Sequence, residues 1–358
     1  MGLMRPSLRL PAGLLAAALA VAGCSSGSDP KAATPTVSAS ATTTAPTSAT
    51  PTESPSASPT PTAPEVQHEV SLPALMAKQY DGRGLRVGRV LARAATYTRH
   101  FVTYKSGKLT ISGILNVPRG KGPFPALVLA HGYIDPAIYT NGRGMMREQD
   151  WLARRGYVVL HVDYRNHAQS SDDPNADRRL RLGYTEDVIN AVLAIKKSPA
   201  PWLDGERVGL VGRSLGGGVL YNVLVAQPGL VDAAVAFAPV SSDAVDNFDR
   251  WIRGDGERRA LAQRIIREYG SPEANPEFWS NASPRPFFDR VTEPVLIHHG
   301  TADDTCPPRW SQQTLAAFKA AGADARLVWY DGEQHAFGPQ WPLSMRRTVA
   351  FFKEHLRA

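Results

Sequence analysis

The run V-G-L-V-G-R-S-L-G-G-G-V-L, Val208 to Leu220, constrains the fold of this 358-residue chain more than any other stretch. A short apolar strand leads into Gly212-Arg213-Ser214-Leu215-Gly216, and a helix of small residues leads out of it. A strand that turns sharply into a helix around one serine needs glycines on both sides, because the backbones of strand, turn and helix approach closely there. Such a turn holds the serine hydroxyl outward, beside the positive end of the helix. Ser214 is therefore the candidate nucleophile. The N–H of Leu215, next in the chain, is a candidate donor to an oxyanion.

Around this turn, strand-like and helix-like segments alternate. Strands are predicted at His100–Tyr104 and Leu109–Val117, as a hairpin around Ser106-Gly107, and then at Pro125–Ala130, Tyr157–Val162, Val208–Val211, Val231–Phe237, Val295–His298 and Arg326–Trp329. Helices are predicted at Met145–Arg155, Thr185–Lys197, Gly216–Ala226, Ser311–Ala321 and Leu343–His355. This order predicts an α/β fold with a mostly parallel central sheet flanked by helices, and reactive groups at the carboxyl ends of strands. Residues 241–290 are too many for a simple connection and predict a short cap insertion. Its aromatic residues, Phe248, Trp251, Phe278, Trp279, Phe287 and Phe288, either line a pocket or staple the cap to the sheet; the sequence leaves both open.

A serine hydroxyl needs a base, and the base needs an orienting acid. Downstream, P-V-L-I-H-H-G-T-A-D-D-T-C-P-P carries Asp303 and Asp304 in the loop after a strand, and D-G-E-Q-H-A-F-G carries His335 in the loop after the next. His161 and His298 fall inside strands and read as structural; His68, His100 and His355 lie at edges or termini, and His167 precedes Ser214. His335 is thus the candidate base. The loop after Pro125–Ala130 reads His131-Gly132-Tyr133 and offers the Tyr133 N–H as second oxyanion donor.

Composition narrows the chemistry. Hydrophobic residues make up 43% of the chain and charged residues 20%, enough for a substantial core. The net charge of +7 is scattered, with no Lys/Arg-rich run and no interleaved aromatics, so no nucleic-acid partner is expected. Two cysteines, Cys24 and Cys306, exclude a disulfide framework and a cysteine zinc cluster. Neither a metal nor an organic cofactor is expected. A mean hydropathy of −0.25 argues against a polytopic membrane protein.

The first 24 residues read as a leader: Arg5 and Arg9, an apolar Leu10–Ala22, then Val21-Ala22-Gly23-Cys24. This resembles the lipobox of bacterial lipoprotein signal peptides, which implies acylation of Cys24 and a chain held at the outer face of the cell membrane. Residues 25–66, rich in Ser, Thr, Ala and Pro, read as a disordered tether in which Val37 is the only large aliphatic residue before Glu65. The folded domain is then 67–358, with some 30 residues at its start that could form a lid.

Ser214, Asp303 and His335 with their surroundings resemble the catalytic domain of the prolyl oligopeptidase family, within the α/β-hydrolase superfamily. Tyr269–Trp279 (Y-G-S-P-E-A-N-P-E-F-W), Ala282–Pro284 (A-S-P) and H-G-T-A-D-D-T-C-P-P carry the likeness over about residues 100–357. The resemblance implies that the first Asp after H-G-x-x, Asp303 rather than Asp304, is the acid. D-Y-R-N-H-A-Q-S, Asp163 to Ser170, resembles the superfamily's D-Y-R-G-x-G-x-S turn, with Asn166 and Ala168 in place of glycines. Large family members carry an N-terminal β-propeller that supplies anchors for a substrate's amino terminus; here that region is leader, tether and lid. The resemblance thus implies cleavage of peptide or amide bonds, or of small esters with little discrimination. The alternatives are a carboxylesterase or acetyl esterase of the dienelactone hydrolase type, and an inactive cell-surface binding module.

Overall fold

Nine strands form one sheet in the computed structural model, which describes residues 63–356. The leader, Cys24 and the tether before residue 63 lie outside the described residues. The strands are β1 (Arg86–Arg93), β2 (Tyr97–Ser106), β3 (Leu109–Pro118), β4 (Phe124–Ala130), β5 (Val158–Val162), β6 (Leu203–Arg213), β7 (Ala233–Phe237), β8 (Val295–Gly300) and β9 (Ala325–Tyr330). Their order is β1-β2-β3-β5-β4-β6-β7-β8-β9. From β5 through β4 to β9 all pairs are parallel, and β1, β2 and β3 add an antiparallel edge. The expected hairpin is present, with Ser106 opposite Leu109.

The sheet follows from burial. Every residue of β5, β7 and β8 is buried. A strand covered on both faces must be apolar throughout rather than alternating, as V-V-L-H-V and A-A-V-A-F are. The covering helices are α1 (Leu72–Ala77), α2 (Met146–Ala153), α3 (Leu182–Lys196), α4 (Leu215–Ala226), α5 (Ala244–Phe248), α6 (Arg259–Tyr269), α7 (Pro276–Asn281), α8 (Pro308–Ala320) and α9 (Trp341–His355). Helix α4 is apolar around most of its circumference because it lies against β6 on one side and α3 and α1 on the other.

Two expectations are corrected. Residues 67–99 are not a lid: Leu72, Leu75 and Met76 bury α1 among the core residues, and β1 extends the sheet by pairing with β2. None of them lines the cavity at Ser214. Helix α3 starts at Leu182, not Thr185. Asp187 therefore lies in the second turn, buried under Arg165, whose Nη2 lies 2.9 Å from Oδ1.

The cap exists as α5, a π-helical turn at Asp249–Arg253, a 3₁₀ turn at Gly256–Arg258, α6, α7 and a 3₁₀ segment at Arg285–Arg290. It divides the aromatics between both roles. Phe248 and Trp251 line the cavity, Phe248 doing so from within the main core, its ring 4.5 Å from that of Trp279. Phe278, Trp279 and Phe288 are buried in the main core, with Phe287 packed against it, and staple the cap down.

Candidate active site

Ser214 sits between the last residue of β6 and the first of α4 with φ 55° and ψ −120°. This is a region that L-residues avoid, at a cost of roughly 1–3 kcal/mol. The surroundings hold it there. Its N–H donates to Phe237 O (2.9 Å), and its carbonyl accepts from Gly217 (2.9 Å) and Val240 (3.1 Å). The flanking glycines are needed for close approach. A Cβ on Gly212 would lie 2.3 Å from Gly216 O, and one on Gly216 would lie 1.9 Å from Ala130 O.

The other predicted residues converge on the same end of the sheet. Asp303 follows β8, His335 follows β9, and Tyr133 follows β4. His335 Nδ1 lies 2.9 Å from Asp303 Oδ2. Asp303 Oδ1 accepts the N–H groups of Thr305 (3.0 Å) and Cys306 (2.9 Å). Burial alone would raise the Asp303 pKa, but hydrogen bonds from His299 and His335, the His335 charge and the Cys306 N–H outweigh it and hold the carboxyl well below the usual range. Asp304 is exposed, and among the described residues its side chain accepts from the Thr305 hydroxyl, at 3.2 Å.

Ser214 and His335 line one cavity of about 400 Å³, together with Leu215 and Tyr133. No hydrogen bond joins Ser214 Oγ to His335 in this arrangement; among the described residues its polar neighbour is Cys306 Sγ, at 4.0 Å. Catalytic hydrogen bonds of this kind commonly tighten only when substrate is bound. Leu215 is the first residue of α4, so its N–H has no acceptor within the helix. A Cβ on Gly132 would stand 3.0 Å from Ser214 Cβ, which puts the loop leading to Tyr133 directly against the serine. The Tyr133 ring lies under two guanidinium groups, Arg181 at 4.5 Å and Arg258 at 4.9 Å, linking this loop to the cap.

Several supporting residues escaped the sequence reading. His299, buried beneath Asp303, has Nε2 3.2 Å from Oδ2 and Nδ1 2.6 Å from Ser311 Oγ. The His335 loop is clamped through its carbonyls: Arg213 Nη2 donates to His335 O (3.1 Å), and Arg147 donates to Ala336 O and Phe337 O. Buried Glu148 ties the clamp together, meeting Arg147 Nε at 3.0 Å, Arg213 Nη1 at 3.9 Å and Trp341 Nε1 at 2.8 Å. The segment Asp177–Leu182 also reaches the cavity, through Leu180 and Arg181 at positive φ. Nothing local in the sequence marks it. Of the other histidines, His161 is wholly buried within β5. His298 bonds Thr348 (3.1 Å) and Tyr330 (2.9 Å), and His167 bonds the carbonyls of Arg165 and Ile134. Burial, reinforced by His161 and His167, pushes His131 down to about 3, so it supports the Tyr133 loop as a neutral ring. Among the described residues no group of three His, Cys, Asp or Glu side chains is placed to hold a metal ion.

A strained serine between strand and helix, with a histidine–aspartate pair on the neighbouring strand ends of a largely parallel sheet, defines an α/β-hydrolase. The particular family follows from comparison. The prolyl oligopeptidase family profile matches residues 144–358, well over half of the chain, and the chain belongs to that family of serine hydrolases. An uncharacterized peptidase of Bacillus subtilis strain 168, YuxL, is 29% identical over 221 residues, covering 60% of this chain and 31% of the relative. Dipeptidyl peptidase 4 of Felis catus is 31% identical over 166 residues, 46% of this chain and 20% of the relative. The chain thus spans under a third of the length of these relatives. Among solved structures, the Pyrococcus horikoshii acylaminoacyl peptidase superposes with a TM-score of 0.58 at 21% identity, over 74% of this chain and 42% of that one. Acetyl xylan esterase 1 of Thermoanaerobacterium sp. superposes with 0.56 at 17% identity, over 83% of this chain and 96% of that one. These likenesses bear on the fold.

Proposed function

We propose that this protein is a serine hydrolase in which Ser214 is the nucleophile, His335 the base and Asp303 the orienting acid, cleaving small ester, amide or peptide bonds. The observation that carries the reading is the His335–Asp303 contact of 2.9 Å, with His335 on the wall of the cavity that the strained Ser214 also lines. His335 Nε2 takes the proton from Ser214 Oγ as it attacks the carbonyl, while Nδ1–H stays on Asp303. The N–H groups of Leu215 and Tyr133 hold the oxyanion. His335 then protonates the leaving group, and water, activated by the same ring, releases the acyl group.

One feature of the cavity favours acyl substrates over those selected by a free amino terminus. Its two lining carboxylates, Asp177 and Asp255, are already paired, with Arg181 at 2.6 Å and Arg258 at 3.4 Å. The proposal extends to location: acylation of Cys24 would anchor the chain outside the cytoplasmic membrane, with the tether holding the domain clear of the surface. Labelling by a fluorophosphonate, lost in Ser214→Ala, tests the nucleophile. Chromogenic acyl esters run against aminoacyl and Xaa-Pro amides test the bond cleaved. Absence of labelling in the wild type would favour the binding-module alternative. Mass spectrometry of the mature chain tests the acyl group on Cys24.

A further inference from the structure

Three arginines line the cavity that holds Ser214: Arg181, Arg250 and Arg258. Arg181 and Arg258 each have a carboxylate partner, Asp177 and Asp255. Arg250, on the π-helical turn of the cap, has none among the described residues, yet it is not a loose surface side chain. Its Nε donates to Thr305 O at 2.8 Å and its Nη2 donates to Asp304 O at 2.5 Å. Its guanidinium lies over the Trp251 ring at 5.1 Å and near the Trp310 ring at 5.9 Å.

This arrangement has a consequence for its donors. The Nε–H and the adjacent Nη2 hydrogen form one edge of the guanidinium, and that edge is spent on the two carbonyls. The far edge, one hydrogen on Nη1 and the second on Nη2, keeps the parallel pair that matches a carboxylate. Thr305 precedes Cys306, whose Sγ is 4.0 Å from Ser214 Oγ, so the backbone that fixes Arg250 also borders the nucleophile. A cation held by two carbonyls and two indoles loses little side-chain entropy when it takes up an anion.

The geometry points to Arg250 as a specificity-determining residue that receives a carboxylate of the substrate, so that the preferred substrates are acyl compounds carrying an anionic group near the bond cleaved. This rests on Ser214 being the nucleophile. It separates the three cavity arginines by role: two are neutralised within the protein and brace the Tyr133 ring, and the third stays charged toward the substrate.

Two matched pairs of esters test it at low ionic strength, each corrected for its uncatalysed hydrolysis. The first places the charge on the acyl side, 4-nitrophenyl hydrogen glutarate against its methyl ester. The second places it on the leaving group, the acetate ester of 4-hydroxybenzoate against that of methyl 4-hydroxybenzoate. In at least one pair the wild type should prefer the charged member by about fivefold in kcat/KM, the upper range for a partly exposed charge pair. Arg250→Gln should bring that ratio to near one through KM, and Arg250→Lys should restore part of it. A wild-type ratio at or below one in both pairs, or a preference that survives Arg250→Gln, overturns the inference. Ser214→Ala separates the two readings. If all four esters are still turned over in that variant, the nucleophile assignment fails and the inference with it. If turnover is lost but the charge preference ignores Arg250, the inference alone fails.

Discussion

His299 Nε2 lies 3.2 Å from the same Asp303 oxygen that meets His335 Nδ1 at 2.9 Å. The buried carboxylate is thus fixed from two sides, and its second oxygen is occupied by the N–H groups of Thr305 and Cys306. Such a group can orient His335 without itself taking a proton. Asp303→Asn should lower kcat/KM by about 10³–10⁴-fold, whereas Asp304→Asn, at an exposed side chain, should change it by less than about tenfold. Steady-state kinetics on any turned-over ester decides; the reverse ranking would move the acid to Asp304.

The same contacts make Asp303 a source of pH-dependent stability. Its folded pKa is depressed below the unfolded value of about 3.9. The stabilisation is therefore complete above the unfolded pKa and is lost as pH falls through the folded one. In urea titrations the stability gap between wild type and Asp303→Asn should shrink as the pH falls below about 4. A gap that widens as the pH falls below about 4 would contradict a depressed pKa.

Cys306, although 4.0 Å from Ser214 Oγ, should be chemically silent. Burial, with the Asp303 charge adding, pushes its thiol up to about 12. Against an ordinary value near 8.5, the thiolate fraction at pH 8 falls by roughly three orders of magnitude. Iodoacetamide at pH 8 should leave Cys306 unmodified in the folded chain and alkylate it in denaturant, as read by peptide mass spectrometry. Rapid alkylation of the folded protein would show the thiol to be accessible.

The two departures from glycine in the turn after β5 have opposite consequences. Asn166 and Ala168 both have positive φ, 67° and 51°. Asn166 is compensated: its amide bonds Asp173 O at 2.9 Å and accepts the Asp173 N–H. Ala168 is exposed and carries no such bond. Ala168→Gly should therefore stabilise the protein by about 1 kcal/mol, whereas Asn166→Gly should not. Thermal or urea unfolding checks the pair; destabilisation by Ala168→Gly would mean that its methyl group has a packing role.

How much was legible in the sequence depended on whether the signal was local. The turn at Ser214 was legible because the close approach of Gly216 to Ala130 leaves room for no other residue, and the central strands were legible because burial on both faces demands unbroken apolar runs. His335 and the Asp303–Asp304 pair were legible because each lies in the loop after a predicted strand, although β9 is only partly buried, and the choice of Asp303 came from the family resemblance. Strand β1, R-V-G-R-V-L-A-R, is exposed along its whole length and exists because β2 offers it a free edge, which no local pattern announces. Arg181 and Arg250 reach the cavity, and Cys306 comes beside Ser214, only through tertiary packing. For the cap aromatics, the division between Phe248 and Trp251 on one side and Trp279 and Phe288 on the other depends on the direction each side chain takes, which composition does not encode.

The cavity also sets an expectation for acyl length. At about 400 Å³ it falls in the range that holds drug-sized ligands, more than an acetyl or butyryl group fills. Leu215, Val219, Phe248, Trp251 and Ile265 give it apolar walls. Each methylene moved from water onto such walls contributes about 0.8 kcal/mol, or roughly fourfold in kcat/KM if the contact is kept in the transition state. Activity on 4-nitrophenyl esters should rise from acetate to butyrate and then level and fall as the chain outgrows the space. Aminoacyl anilides should be slower, because their poorer leaving group needs full protonation by His335. Filling the cavity by Ala244→Phe should shift the optimum toward acetate while Ser214 still reacts with a small fluorophosphonate. If activity falls steadily from acetate to butyrate in the wild type, the acyl chain does not enter this cavity, and the space serves the leaving group instead.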